Sequence, residues 1–391
     1  MLNNRFRKII RQRRLYKVLF FLAIISFIFF IASFNSNRGL AQNSQACTFW
    51  RGYGVVPSPT GFITPIPFSP TPSLSPIPTT LSPTRTPTPI PGTPTPTTAI
   101  SPGQPYRAFS NDSYWNTPFP ANAPIDPNNS KYIADSQNPS NTQNFLQFTA
   151  APGTSQGFGQ PIYWASVSDK LYTITDGSRT VQVHIPSNAR PATGSDAQIT
   201  IYDLSTDQVV GMSGASYNSS TDKWTVGGTI DRYILSSNGL DSKAAGSNDS
   251  RNTGHRGTTS AVRAVRLDEV RAGAIRHRLA CFWWATGIQD INHYWPMVGD
   301  EGAKGGIVPE GIVIRIKPSV NLSTRGLSSP ALVIAKALQD YGCLITDNSG
   351  SGNRLKLEIN EPAWQQIGLT YNALSPIPWS DWEFVKGGYK P

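Results

Sequence analysis

From Pro57 to Pro105 roughly every third residue is proline, and threonine and serine fill most of the rest, as in Pro83-Thr84-Arg85-Thr86-Pro87. Such a chain carries too little apolar surface to offset the entropy of ordering it, and it lies in extended polyproline-like conformations at about 3.1 Å per residue. Residues 35–105 are therefore expected to be a disordered Pro/Thr-rich linker, a semi-rigid stalk. That restricts core formation to residues 106–391, where aromatic, glycine- and asparagine-rich sequence with short alternating runs takes over.

Ahead of the linker, residues 1–17 hold seven cations and no anion, and an uncharged run follows from Val18 to Phe34. Its 17 residues are at the lower limit for crossing a hydrocarbon core and slightly long for the apolar part of a signal peptide. Two readings stand: a retained transmembrane anchor over 18–34, or a signal segment cleaved near Gly39 or Ala41. Both keep the basic segment in the cytoplasm and export the rest. The expected location is membrane-anchored with the globular domain extracytoplasmic, or secreted if the segment is cleaved. Ser44-Gln45-Ala46 before Cys47 lacks the aliphatic residue that lipidation signals carry.

The formal charge of +10 invites a nucleic-acid reading, but its distribution removes it. All ten excess cations lie within residues 1–105, which contain no Asp or Glu, leaving 24 cations against 24 anions in 106–391. The domain is neutral overall, and no nucleic acid is expected as a partner.

Within 106–391, Val181–Ile185, Ile199–Ile201, Ile312–Lys317 and Leu355–Ile359 alternate apolar and polar residues with β-branched enrichment, the period of half-buried strands. Asp176-Gly177, Gly227-Gly228 and residues 349–353 supply turn signals. One helix is expected from Pro330 to Tyr341, capped by Ser329, stopped by Gly342, with Leu332, Ala335, Leu338 and Tyr341 as its apolar stripe. Many strands with one late helix predict a mostly β domain, a β-sandwich or jelly-roll-like fold with one α-helix in its C-terminal half. Cys281 and Cys343 are the only cysteines in this segment. Export permits a disulfide between them, but two buried unpaired thiols read equally well.

Several blocks follow one another along this segment: Trp115-Asn116-Thr117-Pro118 with Asp126-Pro127, then Gly194-Ser195-Asp196 entering a hydrophobic run that ends at Asp203. Asp268-Glu269-Val270 with Gly273, Ile275, His277 and Leu279 follows, then Tyr294-Trp295-Pro296, Ala337-Leu338 with Tyr341-Gly342, and Asp347-Asn348. Together they resemble a widespread, uncharacterised family of secreted microbial β-sandwich proteins. The resemblance covers most of residues 110–385 and implies no activity. In the family pattern a histidine often stands where this chain has Gln198, and an arginine where it has Val313, so any chemistry of those two positions is in doubt here.

The four histidines, His184, His255, His277 and His293, show no metal-ligand spacing, and no CxxC occurs, so neither a metal nor a cofactor is expected. Gly157-Phe158-Gly159 lacks the strand-to-helix context of a nucleotide loop. In the run Ile275–Trp284, alternation puts Ile275, His277, Leu279, Cys281 and Trp283 on one face and Arg276, Arg278, Ala280, Phe282 and Trp284 on the other. His277 reads either as a core histidine satisfied by the backbone or as a general acid/base in a cleft. Trp283, Tyr294 and Trp295 are candidates for stacking on sugar rings, with Asp290, Asn292 and His293 beside them to read hydroxyls, against the reading that Trp283 merely fills the core. Among the carboxylates Asp347, Glu358, Glu361, Asp381 and Glu383, Asp347 stands out through Asn348 and its block.

The expected function is thus a surface domain that binds or processes extracellular polysaccharide or cell-wall glycan. His277 and Asp347 are its candidate catalytic pair, and Trp295, Tyr294, His293, Asn348 and Trp283 its candidate binding residues. The alternative is a structural or adhesive envelope protein without enzymatic activity. His277, Asp347, Tyr294 and Trp295 are expected to meet in one cleft, since strand ends on a rigid scaffold can gather polar groups distant in sequence.

Overall fold

Each alternating run forms a strand; the one from Val181 to Ile185 is half-buried as its alternation implies, whereas those at Ile199, Ile312 and Leu355 are buried on both faces. The computed structural model describes residues 105–137, 144–288 and 291–391. The basic segment, the apolar run and all but the last residue of the linker lie outside the described residues. Among the described residues no helix is long and apolar enough to cross a membrane.

The strands are β1 (Gln147–Thr149), β2 (Ile162–Ala165), β3 (Lys170–Thr175), β4 (Thr180–Ile185), β5 (Ile199–Asp203), β6 (Gln208–Met212), β7 (Ala215–Asn218) and β8 (Lys223–Val226), followed by β9 (Ile230–Ile234), β10 (Ala264–Val265), β11 (Leu279–Trp283), β12 (Val313–Ile316), β13 (Cys343–Asn348), β14 (Arg354–Leu357) and β15 (Trp382–Val385). The helices are α1 (Asn129–Ser136), α2 (Leu267–Arg271), α3 (Ser329–Asp340) and α4 (Glu361–Gln366). A seven-stranded sheet runs β1-β14-β11-β13-β12-β15, with β10 also paired to β14, and a four-stranded sheet runs β2-β5-β6-β9. Hairpins β3–β4 and β7–β8 stand beside them, the first turning at Asp176-Gly177, with Gly177 at φ 90° as the turn requires.

The domain is mostly β with several sheets and few short helices, as expected. Its pairing departs from that of a jelly roll: β1 and β10 run parallel to β14, β11 parallel to β13, and β2 parallel to β5, whereas a jelly roll is antiparallel.

Side-chain alternation sorts the apolar residues into three layers. On the large sheet, Leu279, Cys281, Trp283, Ile314, Ile316, Cys343, Ile345, Trp382 and Phe384 enter one core together with Ala331, Ile334, Ala335 and Leu338 of α3. The opposite face gives Ala280, Val313, Leu344 and Val385 to a second core, which also receives Tyr202, Val209 and Tyr233 from the four-stranded sheet. The far face of that sheet supplies Ile199, Ile201, Val210, Met212 and Ile230 to a third core, closed by Ile174, Val181, Val183 and Trp224 of the hairpins. Cover on both faces is why β5, β11 and β12 are buried throughout, with Thr200, Asp203 and Arg315 as buried polar members of otherwise mostly apolar strands.

Helix α3 begins one residue before the expected Pro330, with Ser328 rather than Ser329 as its N-cap. Gly342 ends it at φ 72°. Its buried stripe is Ala331, Ile334, Ala335 and Leu338, whereas Leu332 is 37% exposed. Spacings of three, four and seven from Ala331 set that face, and Leu332 falls just off it.

Cys281 and Cys343 form a disulfide with a Cα–Cα distance of 5.6 Å, joining adjacent strands β11 and β13. The bond points to an oxidising compartment, as expected of an extracytoplasmic domain.

Candidate functional site

At one end of the large sheet the chain leaves β13, crosses the end of β11 through residues 349–353 and returns as β14 on its far side. Ser349 N–H donates to the Trp283 carbonyl at 2.6 Å and pins this crossing. Phe282 consequently pairs with Asp347 on one side and Arg354 on the other. Residues paired in this way present their side chains on one face, with Asp347 and Arg354 two strand spacings apart, about 10 Å.

Simple alternation from Ile345 would send Asp347 to the helix-covered face. A register shift between Cys281 and Phe282 prevents this: Cys281 pairs with Ile345 but Phe282 with Asp347, so Thr346 is the extra residue of a β-bulge. Thr346 is buried, and its hydroxyl donates to the Cys281 carbonyl at 3.2 Å. The bulge turns Asp347 toward the face that also carries Phe282, Arg354 and Lys356.

Above that face lies a cavity of about 480 Å³. Its floor is Phe282, Lys356 and Thr149; one wall is Asp347, Asn348, Ser349, Ser351 and Arg354, and the other is Phe158, Ser195 and Asp196. The second wall is held by a close backbone approach, in which Gly194 N–H donates to the Gly157 carbonyl at 2.9 Å. A Cβ at Gly194 would lie 2.3 Å from that same oxygen, so only glycine permits the contact. Gln198 completes the anchorage, its Nε2 donating to the carbonyls of Phe158 at 3.0 Å and Gly159 at 2.8 Å. Phe158 itself is 42% exposed, an apolar ring presented to solvent at the cavity rim.

Lys356 is the buried cation of the floor. Its ammonium donates to Gln198 Oε1 at 2.7 Å, stands 3.8 Å from Asp196 and lies 4.4 Å from the Phe282 ring centroid. Burial and the Arg263 charge pull its pKa down to about 8, against the opposing pull of Asp196 and Asp347. Arg354 is half-buried and bonds to the Ser351 carbonyl and hydroxyl; among the described residues it makes no ion pair.

Behind the Asp347 wall, the Arg256 guanidinium meets three carboxylates: Asp347 at 2.8 Å, Glu301 at 3.1 Å and Glu310 at 3.4 Å. Glu301 also has Lys304 at 3.4 Å and, like Asp347, is partly solvated, whereas the buried Glu310 has only the shared Arg256 as an ion-pair partner among the described residues. Glu310, 1% exposed, is pushed up to about 8, first by burial and then by the charges of Asp347 and Asp300. His255 is drawn down to about 4 by burial and by Arg256 and Arg263.

Of the residues singled out from sequence, Asp347 and Asn348 line this cavity, and His277, Tyr294, Trp295, His293 and Trp283 do not. His277 precedes β11 and is 4% exposed; its Nδ1 lies 2.9 Å from the Arg278 carbonyl and its Nε2 3.0 Å from the Glu269 carboxylate. It sits five residues from Phe282, whose partner is Asp347, which at the rise of a strand is about 16 Å away. The expected meeting of His277 with Asp347 in one cleft is therefore corrected to a buried His277–Glu269 pair beside α2. Trp283 is fully buried, edge-on to Trp379 and Phe384, and fills the core. Trp295 donates from its indole to the Ala245 carbonyl at 2.9 Å and packs edge-on to Tyr114. Tyr294 packs its ring against Gly387, where a Cβ would come within 2.4 Å. His293 Nδ1 lies 2.9 Å from Asp300. Asp290 lies outside the described residues.

The remaining carboxylates have structural partners. Glu358 accepts from Leu267 N–H, Glu361 from Gly153 N–H, while Asp381 pairs with Arg325 and Glu383 with Arg315. Val313 belongs to the apolar layer between the sheets, whereas Gln198 touches the cavity through Lys356. Lys356, Arg354, Phe158 and Ser195 were not singled out from sequence as site residues. The one available signal was that Gly194-Ser195-Asp196 and Asp347-Asn348, two blocks far apart in the chain, both bear on the resemblance, and they face each other across the cavity.

Among the described residues no group of His, Cys, Asp and Glu is placed to hold a metal ion. No family model, curated protein or solved structure matches the chain. What fold and site define together is a disulfide-bridged, β-rich domain with a lined, partly polar cavity between its large sheet and the loops that carry Phe158, Ser195 and Asp196.

Proposed function

We propose that this is a cell-surface or secreted domain that binds extracellular polysaccharide in the cavity between the 349–353 crossing and the Phe158–Asp196 wall. One observation carries the reading: the solvent-facing Phe158 ring lines one cavity with Ser195, Ser349 and Ser351 and with the charged Asp347, Arg354 and Lys356. An apolar ring among hydrogen-bonding groups suits a sugar, whose ring has an apolar face and a rim of hydroxyls. The volume accommodates one or two sugar units, in the range of ordinary ligand cavities. The candidate binding residues shift accordingly, from the Trp283–Trp295 segment to Phe158, Asn348 and their neighbours. A sandwich-like stacking of the two sheets and tethering through the N-terminal segment belong to the same reading.

The test is a glycan array probed with the full-length protein, followed by titration of the best ligand. Phe158→Ala should weaken binding about tenfold, of the order expected for one stacking contact, without lowering the melting temperature, because the ring is exposed. Ser195→Trp should abolish binding by filling the cavity. An array without a hit would favour the structural or adhesive reading.

A further inference from the structure

Resting on the cavity as a polysaccharide site, we infer that its ligand is acidic: a carboxylate or phosphate on the polysaccharide is gripped between the Arg354 guanidinium and the Lys356 ammonium. The charges argue for it. Four charged residues line the cavity, two of each sign. Asp347, however, is ion-paired from behind with Arg256 at 2.8 Å, and Asp196, its side chain 49% exposed, stands 3.8 Å from Lys356. Arg354 has no carboxylate partner among the described residues, and only Ser351 oxygens accept from it. A guanidinium held only by Ser351 and reached by solvent is free to take up an anion, and its planar donors match the paired oxygens of a carboxylate or phosphate.

Arg354 and Lys356 are two residues apart on β14, so their side chains share a face and leave the Phe282 ring between β11 and β14 as an apolar floor. A sugar unit placed there meets an aromatic surface below and cations beside it. A neutral sugar could use both cations only as hydrogen-bond donors, whereas an acidic one also gains their charge.

The pH response is a second handle. The groups that face Lys356 are Asp196, Gln198, Arg263 and Asp347, together with Arg354 on its own strand. With the ammonium pulled down to about 8, its charge is present at neutral pH and withdrawn as the solution becomes alkaline. Affinity for an anion should fall as pH rises through that value and stay level between pH 6 and 7.

The experiment uses the full-length protein in calorimetric titration with three probes of matched length: an oligogalacturonate, a neutral gluco-oligosaccharide and a poly(glycerol phosphate). The expected result is at least tenfold tighter binding of an anionic probe than of the neutral one, weakening with added salt and falling as pH passes about 8. Preference for the galacturonate assigns a carboxylate, and preference for the glycerol phosphate assigns a phosphate. Arg354→Gln and Lys356→Met should each weaken binding of the anionic probe at least tenfold more than binding of the neutral one. The wild-type pH and salt profiles decide the matter even if a variant misfolds. Equal binding of neutral and anionic probes overturns the acidic ligand and leaves the polysaccharide reading standing. Binding of none of them overturns both.

Discussion

Replacing Glu310 by glutamine isolates the charge imbalance behind the cavity wall. Glu310 is 1% exposed, its Oε2 finds no hydrogen-bond partner among the described residues, and it shares Arg256 with Glu301 and Asp347. Two of those carboxylates are at least partly solvated, so the proton is expected on Glu310, raised from 4.5 to about 8. A carboxyl whose folded pKa is raised binds protons more tightly in the folded chain than in the unfolded one. Stability from this group is therefore fully present below pH 4.5 and is lost as pH climbs toward 8. At about 1.4 kcal/mol per unit the shift sets a ceiling near 5 kcal/mol, and relaxation around a charged Glu310 should reduce the observed loss to roughly 2–4 kcal/mol. Glutamine has nearly the same shape and cannot ionise. Denaturant unfolding of both proteins at pH 5, 6.5 and 8 should give similar stabilities at pH 5, with Glu310→Gln gaining on the wild type by that amount at pH 8. Parallel pH profiles would refute a protonated Glu310 and the view that Arg256 is oversubscribed.

Removing the disulfide with Cys281→Ala and Cys343→Ala frees a loop spanning 62 residues and should cost about 4 kcal/mol by the chain-entropy relation, read as a lower unfolding midpoint; an unchanged midpoint would mean that the bond does not restrict the unfolded chain. His277→Ala breaks a buried pair with Glu269 and should cost roughly 2–3 kcal/mol of stability while ligand affinity stays constant. Lost affinity at unchanged stability would restore His277 to the site. Trp283→Ala, which empties a fully buried site between Trp379 and Phe384, should cost about 3–5 kcal/mol and leave affinity unchanged in protein that still folds.

The sequence determined the class of structure. Period-two runs at Val181, Ile199, Ile312 and Leu355 became strands β4, β5, β12 and β14, and Pro330 to Gly342 became the late helix, because local periodicity and cap chemistry act over a few residues. Tertiary structure decided what those strands face. In Leu355-Lys356-Leu357 the alternation marks Lys356 as the polar, outward side, yet it is 8% exposed, since the wall bearing Gln198 and Asp196 covers that face. Asp347 reaches the cavity only through the bulge at Thr346, which no pattern in the chain announces. The sequence leaves the pairing of Cys281 with Cys343 open for the same reason: it depends on β11 and β13 becoming neighbours. His277 went to the core because α2 brings Glu269 within 3.0 Å of it. A strand's sequence records the alternation of its own side chains, whereas which face is covered, and by what, is set by partners brought together from across the chain.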